Sequence, residues 1–287
     1  MMRIILTGAN GLLGSSLLHN SSLAKTYEVL PTSYNLSGNA KVKMDISSNE
    51  DVIKVFEDFK PHVLINAGAM TNVDLCEDEK ERCYQVNTKA IEYLSRACLE
   101  HGTKCIHVST DFVFDGKGGP YSEVDKPNPQ SYYATCKLEG EKILASSDIE
   151  SAIVRTILVY GKHSTPNIAT WLYDKLKNNE ELSLVDDHHR MPTYSNDLAY
   201  AIHNIIKKEA SGLYHISGSE MMTPFDMGIK IAEKFSFDSK LISRTNSSVF
   251  KQKAIKPKKT GFILDKAIGE LSYSTTKFDD ALDQIFS

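Results

Sequence analysis

Long apolar runs are missing from this chain. No stretch approaches the roughly 20 residues that a membrane-spanning helix requires, so a membrane is not an expected partner. A signal peptide is not expected either, because MMRIILTGANG passes from one arginine through a short apolar run straight into glycines. Cysteine is sparse and wrongly spaced for a metal cluster. The five residues Cys76, Cys83, Cys98, Cys105 and Cys136 contain no C-x-x-C pair. An odd number of thiols without a framework reads as reduced cysteine in a cytoplasmic protein. A large excess of charge is lacking too: the formal net charge is −4, with 24% charged residues. That balance gives no reason to expect nucleic acid or an anionic surface as the main partner. Internal repeats, low-complexity tracts and long Pro/Gly/Ser linkers are absent, and 287 residues suit one large α/β domain or a main domain with a smaller lobe.

What the chain does have is alternation. Short apolar runs at Arg3–Thr7, Tyr27–Thr32, Lys41–Met44, Val63–Asn66, Lys104–Ser109 and Ala152–Val159 read as strands. Helical patterns lie between them: one after Ser47 and Ser48, a long one over Glu79–Glu100, another from near Tyr133. Strands alternating with helices predict a doubly wound parallel α/β sheet. After Gly161 the rhythm loosens into a second lobe.

The first strand runs into TGANGLLG, with Gly8, Gly11 and Gly14 at three-residue spacing ahead of an amphipathic helix. Glycine there permits a tight turn, close backbone approach to a pyrophosphate and close helix–strand contact, while the helix amides and dipole face the phosphates. This order of strand, turn and helix predicts a Rossmann-type dinucleotide site. An acid some 20 residues further on would hold the ribose 2′-hydroxyl of NAD. Thr32, Ser33, Tyr34 and Asn35 stand there instead, with Lys41 and Lys43 nearby and no carboxylate until Asp45. Hydroxyls and ammonium groups suit a 2′-phosphate, so NADP(H) is favoured over NAD(H).

Residues 131–140 read SYYATCKLEG. On a helix Tyr133 shares a face with Lys137, whereas Tyr132 is matched with Cys136. A neighbouring ammonium stabilises phenolate, and moving a tyrosine from about 10 to about 7 is worth roughly 4 kcal/mol. Tyr-x-x-x-Lys recurs at Tyr173/Lys177 and Tyr273/Lys277, but only Tyr133 follows a dinucleotide half-fold, so the other two read as packing or surface pairs. Strand Lys104–Ser109 delivers Ser109, Thr110 and Asp111 to the carboxyl edge of the sheet, where sites of α/β proteins lie. Thr110, Tyr133 and Lys137 are therefore the expected catalytic groups, with Ser109 beside the cofactor and Asp111 beside the substrate.

Taken together, TGANGLLG, NAGAMTNVD (66–74), VSTDFVFDG, YATCKLEGE, RTILVYG (155–161), DHHRMPTYSNDLA (187–199), GLYHISGSE (212–220) and KPKKTGFILDKA (256–267) span nearly the whole chain. The chain resembles the extended short-chain dehydrogenase/reductases, and among them the dTDP-4-dehydrorhamnose reductase family. The resemblance implies reduction of a 4-keto group on a nucleotide-linked 6-deoxyhexose by NAD(P)H. It implies that Tyr133 donates the proton, Lys137 lowers its pKa and holds the nicotinamide ribose, and Thr110 binds the carbonyl oxygen. By the same likeness Gly11, Leu12 and Leu13 meet the pyrophosphate, Asp45 and Ile46 border the adenine, and Ala67, Gly68, Ala69 and Met70 line the cofactor, with Gly8 and Asn10 also among the cofactor-binding residues. Leu158, Arg190 and Lys256 fall at substrate positions. A homodimer is also a family expectation. The chain departs from the family pattern at Phe112 (often tyrosine), Leu158 (a tryptophan), Met70 (an aromatic or histidine) and Lys256 (an arginine, whose fork a lysine lacks).

The remaining features divide. Asp187-His188-His189-Arg190 lacks a third metal ligand, so no metal is expected; Arg190 is either a phosphate contact or a surface charge. KQKAIKPKK (251–259) is either a diphosphate clamp or a solvated loop, and Asn87 either reaches the site floor or is a helix-surface amide. Trp171, at helical spacing with Ile168, Leu172 and Leu176, reads as core. Residues 1–160 are expected to bind the cofactor with 190–217 returning to them, while 161–189 and 218–287 form the substrate lobe. A rival reading is an NADP-binding regulatory subunit, because RMPTYSNDLA and HISGSEMMTPFDM are also similar to the β-subunit of methionine adenosyltransferase. A third, an epimerase or dehydratase, needs further acid/base groups that have no obvious place.

Overall fold

The computed structural model describes residues 1–287. The aliphatic runs become strands β1 (Arg3–Thr7), β2 (Glu28–Ser33), β3 (Val42–Lys43), β4 (Val63–Asn66), β5 (Lys104–Thr110) and β6 (Ser151–Thr156). Three short strands follow, β7 (Val159–Tyr160), β8 (Leu182–Val185) and β9 (Thr193–Tyr194), then β10 (Gly212–Ile216) and β11 (Ile242–Thr245). Seven of these form one sheet in the order β10-β6-β5-β4-β1-β2-β3, every neighbour parallel. The order reverses between β1 and β4, which opens a crevice outside the carboxyl ends of those strands.

Strand side chains alternate between two covered faces. Ile4, Leu6, Ile65, Ile106 and Val154 pack on one side with Leu17, Leu198 and Ile202 from helices Leu12–His19 and Ser195–Lys207. Ile5, Leu64, Cys105 and Ile153 face the other way, onto Val52, Phe56 and Leu94. Helix Asn49–Phe59 begins at Ser48, whose hydroxyl accepts the Asp51 amide. Helix Tyr132–Ala145 begins in the same way at Ser131. A separate apolar cluster, including Tyr160, Leu172, Leu184, Met227, Ile231 and Leu282, organises the C-terminal part around the β8/β11 pair. No helix is long and apolar enough to cross a membrane.

Three expectations need correction. The expected strand 152–159 stops at Thr156, because Leu158 turns to φ +37° and Val159–Tyr160 pairs with β9 instead. The expected helix 79–100 runs from Lys80 to His101 but is not a uniform α-helix, since it carries a π-turn over Gln85–Lys89. Trp171 is 38% exposed rather than core, since Ala169, Leu172 and Leu176 are the buried side of its helix.

Candidate active site

A cavity of about 1150 Å³ occupies the crevice. At one end lies the glycine turn. Gly8 has φ +66°, and a Cβ there would stand 2.7 Å from the Ala67 backbone. A Cβ on Gly14 would stand 2.4 Å from the Gly8 carbonyl oxygen. A side chain at Gly8 would push the turn off the Ala67–Gly68 backbone that follows β4, and one at Gly14 would push away helix Leu12–His19, whose N-terminal turn opens without a side-chain cap. Those free amides and the dipole suit an anion. Ser33, Asp45 and Ile46 lie further along the wall, with Tyr34 beside Lys43, whose ammonium is 5.9 Å from the phenol ring centre.

The middle is built by Ala67, Gly68, Ala69 and Met70 after β4. Asn87 clamps Met70 at two points, its carboxamide accepting the Met70 amide at 3.0 Å and donating to the Met70 carbonyl at 3.0 Å. The π-turn places this buried amide under the site, as such insertions often do. Asn87 is thus a buried support beneath Met70, not a surface amide, and does not itself line the cavity.

Helix Tyr132–Ala145 crosses above β5 and β6 and turns Tyr133, Lys137 and Glu141 toward the sheet. All three are buried. Glu141 accepts from Arg155 Nη2 at 2.6 Å and from the Ser109 hydroxyl at 2.5 Å, which fixes the helix to β5 and β6. Ser109 thus lines the cavity with its hydroxyl already engaged. Lys137 Nζ donates to the Val108 carbonyl at 2.8 Å and lies 3.1 Å from His107 Nε2. Burial pulls this ammonium down to about 8, against the pull of Glu141.

Tyr133 corrects an expectation. Burial pushes its phenol well above the usual range, with the Thr110 hydroxyl working against the rise and Asp111 adding to it. The lowering expected from Lys137 is not realised in the protein alone, because the ammonium is directed to His107 and Val108. Tyr132 differs in setting rather than in direction: burial raises its phenol too, but it is only partly buried and lies under Lys80, whose ammonium is 5.3 Å from its ring centre.

At the far end Thr110 caps the turn Asp111–Val113 and donates to Asp111 at 3.3 Å. Asp111 also accepts from Thr260 and pairs with Arg190 Nε at 3.7 Å. Burial raises this carboxyl, while Arg190 and the hydroxyls oppose the rise. Arg190 is buried, donates to the His189 and Pro257 carbonyls, and stands over the Phe112 ring at 5.7 Å. It is not a surface charge. Phe112 in turn meets Tyr133 edge-on at 6.1 Å. In the lysine run, Lys253 pairs with Asp78 at 2.5 Å and Lys256 with Asp74 at 3.0 Å, so the loop is pinned rather than free.

Asn87 aside, all the residues singled out for the site line this cavity except Asn10. Its carboxamide is taken by the 35–40 loop, accepting from the Asn39 and Ala40 amides and donating to the Asn35 carbonyl. Sequence reasoning missed Arg82, Gln85, His188 and Pro224, which also line the wall. It also missed Thr7 and His107, whose only signal was a polar residue within an apolar strand.

The RmlD substrate binding domain model matches residues 2–287. A dTDP-4-dehydrorhamnose reductase of Aggregatibacter actinomycetemcomitans is 35% identical over 241 residues, 82% of this chain and 79% of that one. Methionine adenosyltransferase 2 subunit beta of Danio rerio is 30% identical over 245 residues, covering 83% of this chain and 75% of that protein. Among solved structures, dTDP-4-dehydrorhamnose reductase from Bacillus anthracis in complex with NADP superposes with a TM-score of 0.91 at 28% identity, covering 100% of this chain and 99% of the other. The family match runs over the glycine turn, the Tyr133 helix and the C-terminal lobe alike: this chain belongs to the RmlD substrate binding domain family and is a homologue of the dTDP-4-dehydrorhamnose reductases.

Proposed function

We propose that the protein reduces the 4-keto group of a nucleotide-linked 6-deoxysugar, a dTDP-4-dehydrorhamnose-type substrate, at the expense of NADPH. The observation that carries this reading is that Thr110, Tyr133 and Lys137 share one cavity with an uncapped helix N-terminus behind a glycine turn. The cavity fits a dinucleotide, since Gly8 and Gly14 let the turn and the helix close up tightly and so bring the uncapped helix N-terminus to the cavity wall. Gly11, Leu12 and Leu13 would hold that pyrophosphate, Asp45 and Ile46 the adenine, and Lys137 the nicotinamide ribose. NADPH is favoured over NADH because Ser33, Tyr34 and Lys43 offer hydroxyls and a cation where a ribose-binding carboxylate would otherwise stand.

Bound NADPH would supply the hydride to the carbonyl carbon. Tyr133 gives its phenol proton to the carbonyl oxygen, which becomes the alcohol. A phenol held protonated by burial is suited to that acid role, and the Lys137 ammonium stabilises the phenolate left behind. Thr110 turns its hydroxyl from Asp111 to the same oxygen. Arg190 and Lys256 face the nucleotide diphosphate, and Leu158 faces the sugar. We assign residues 1–160 and 190–217 to the cofactor and residues 161–189 and 218–287 to the sugar nucleotide. A cytoplasmic homodimer is the state the kinship favours, and sedimentation of the purified protein tests it.

The test is oxidation of NADPH and NADH in the presence of dTDP-4-dehydro-L-rhamnose, with faster turnover expected for NADPH. A second reading, a regulatory subunit that binds NADP and acts through a partner, is favoured by the likeness to the methionine adenosyltransferase subunit and by the altered wall at Met70, Phe112 and Leu158. Tight NADPH binding with no ketosugar turnover and a co-purifying partner would favour it.

A further inference from the structure

Residues 248–256 form a strap that crosses one end of the cavity, and both of its ends are rooted in the segment 187–190. At one root the Ser247 amide and hydroxyl donate to the Asp187 carboxylate at 2.9 and 2.7 Å. At the other, Arg190 donates to the Pro257 carbonyl and the His189 amide donates to the Lys258 carbonyl at 2.7 Å. Between the roots, residues 251–256 form neither helix nor strand. Their polar side-chain and amide contacts with the rest of the molecule all go to one short helix, Val73–Asp78. His188 and Arg190 line the cavity at the root, and Val73 and Lys256 line it at the crossing.

One carboxylate makes most of that crossing. Asp74 Oδ1 accepts the Lys253 amide at 3.1 Å and the Ala254 amide at 3.0 Å, while Asp74 Oδ2 accepts from Lys256 Nζ at 3.0 Å. Lys253 Nζ adds a bond to Asp78 at 2.5 Å, but both of those side chains are substantially exposed, so the pair is a weak tie. The Asp74 contacts are of another kind. The Ala254 amide holds this carboxyl below its ordinary range against the effect of burial, helped by Lys256 and the Lys253 amide. A charged acceptor binds amides more strongly than a neutral one, and Ala254 is buried. The helix side of the crossing is fixed. Glu77 accepts the Tyr132 amide at 2.8 Å at the start of the Tyr133 helix, and Cys76 is buried in the cluster that contains Tyr133. The strap is therefore the part that can lift, and Asp74 is what holds its tip.

We propose that Asp74 is a positioning residue: it latches the strap across the cavity and holds Lys256 where its ammonium meets the diphosphate of the incoming sugar nucleotide. An ammonium carries three donors, so Lys256 keeps its bond to Asp74 while donating to a phosphate oxygen. The strap lifts for the substrate to pass and closes on the bound diphosphate, as gating loops do. The inference rests on the proposed reading for the identity of the ligand, but the latch is a property of the protein alone.

The test is limited trypsin digestion with and without dTDP, reading cleavage after Lys251 and Lys253 by mass spectrometry, alongside calorimetry of dTDP and NADPH binding. Wild type should be cut several-fold more slowly in the strap at saturating dTDP. In Asp74→Ala the strap should be cut faster, and dTDP should bind about tenfold more weakly, with NADPH affinity unchanged. In turnover the same variant should show a raised KM for the ketosugar nucleotide and little change in kcat, the mark of lost substrate binding rather than lost chemistry. Unchanged cleavage in Asp74→Ala would show that Asp74 is no latch. Faster cleavage with wild-type dTDP affinity would leave the strap a surface loop, and either result overturns the proposal. Should the variant fail to fold, wild type decides: equal strap cleavage with and without bound dTDP would overturn it as well. If wild type binds no dTDP, the sugar-nucleotide reading fails, and the cleavage rates of wild type and Asp74→Ala still decide the latch.

Discussion

At the residue scale, the chemistry turns on how much room each position leaves. Gly8 combines a left-handed backbone with contact against Ala67. Gly8→Ala is expected to cost about 1–3 kcal/mol of stability and to weaken NADPH binding, measured by urea denaturation and by quenching of protein fluorescence. A variant with wild-type affinity and midpoint would show that the turn is not the cofactor cradle. The sequence made this turn legible because glycine is the residue that tolerates it. Tyr133 was legible through its spacing from Lys137, but the direction of its pKa was not. Spacing says that two groups share a helix face. It does not say that the ammonium will be drawn to an imidazole and a carbonyl from a strand distant in the chain. Asn10 failed for the opposite reason: it sits inside the motif, yet its carboxamide satisfies loop amides that no local pattern announces.

At the scale of elements, the Tyr132–Ala145 helix is held to the sheet by polar bonds as well as apolar packing. The Glu141–Arg155 pair is almost fully buried, with side chains 6% and 4% exposed. Arg155→Met leaves the Glu141 carboxylate uncompensated and should cost about 3–5 kcal/mol, read from chemical denaturation. The double variant Arg155→Met/Glu141→Met should recover much of that loss. If the single variant is as stable as wild type, the pair does not anchor the helix. Strands β1 and β4 were legible to the residue because their apolar runs are bounded by polar turns. The π-turn within the long helix was not. An inserted π-turn shifts the buried face by one position while leaving a plausible helical period on both sides, and only the two-point clamp of Asn87 on Met70 reveals its use.

For the whole molecule, the seven-stranded sheet gathers segments from both halves of the chain, and its burial shapes the response to acid. His215, on β10 at the sheet edge, donates Nδ1–H to the Tyr121 carbonyl and stacks on Phe262. Burial, reinforced by Arg155, lowers its pKa from 6.5 to about 3. Between those values the unfolded chain binds a proton that the folded protein refuses. The His215 contribution is therefore complete above about pH 6.5 and is lost as pH falls toward 3, at up to about 1.4 kcal/mol per pH unit. Stability measured between pH 7 and pH 5 should decline in wild type and decline less steeply in His215→Phe. Equal slopes would contradict the assignment. That β10 lies against β6 follows from parallel pairing across some sixty residues, a long-range choice that periodicity does not encode. The site's general location was legible all the same, because a glycine turn after a first strand and a polar end on β5 converge on the same edge of a parallel sheet.

The most direct test of the central claim is single-turnover oxidation of NADPH with dTDP-4-dehydro-L-rhamnose by wild type, Tyr133→Phe and Tyr132→Phe. Wild type and Tyr132→Phe should react at similar rates, while Tyr133→Phe, still binding NADPH, should be slower by roughly 10²–10⁴-fold. Equal rates for Tyr133→Phe and wild type would contradict the assignment of Tyr133 as the proton donor.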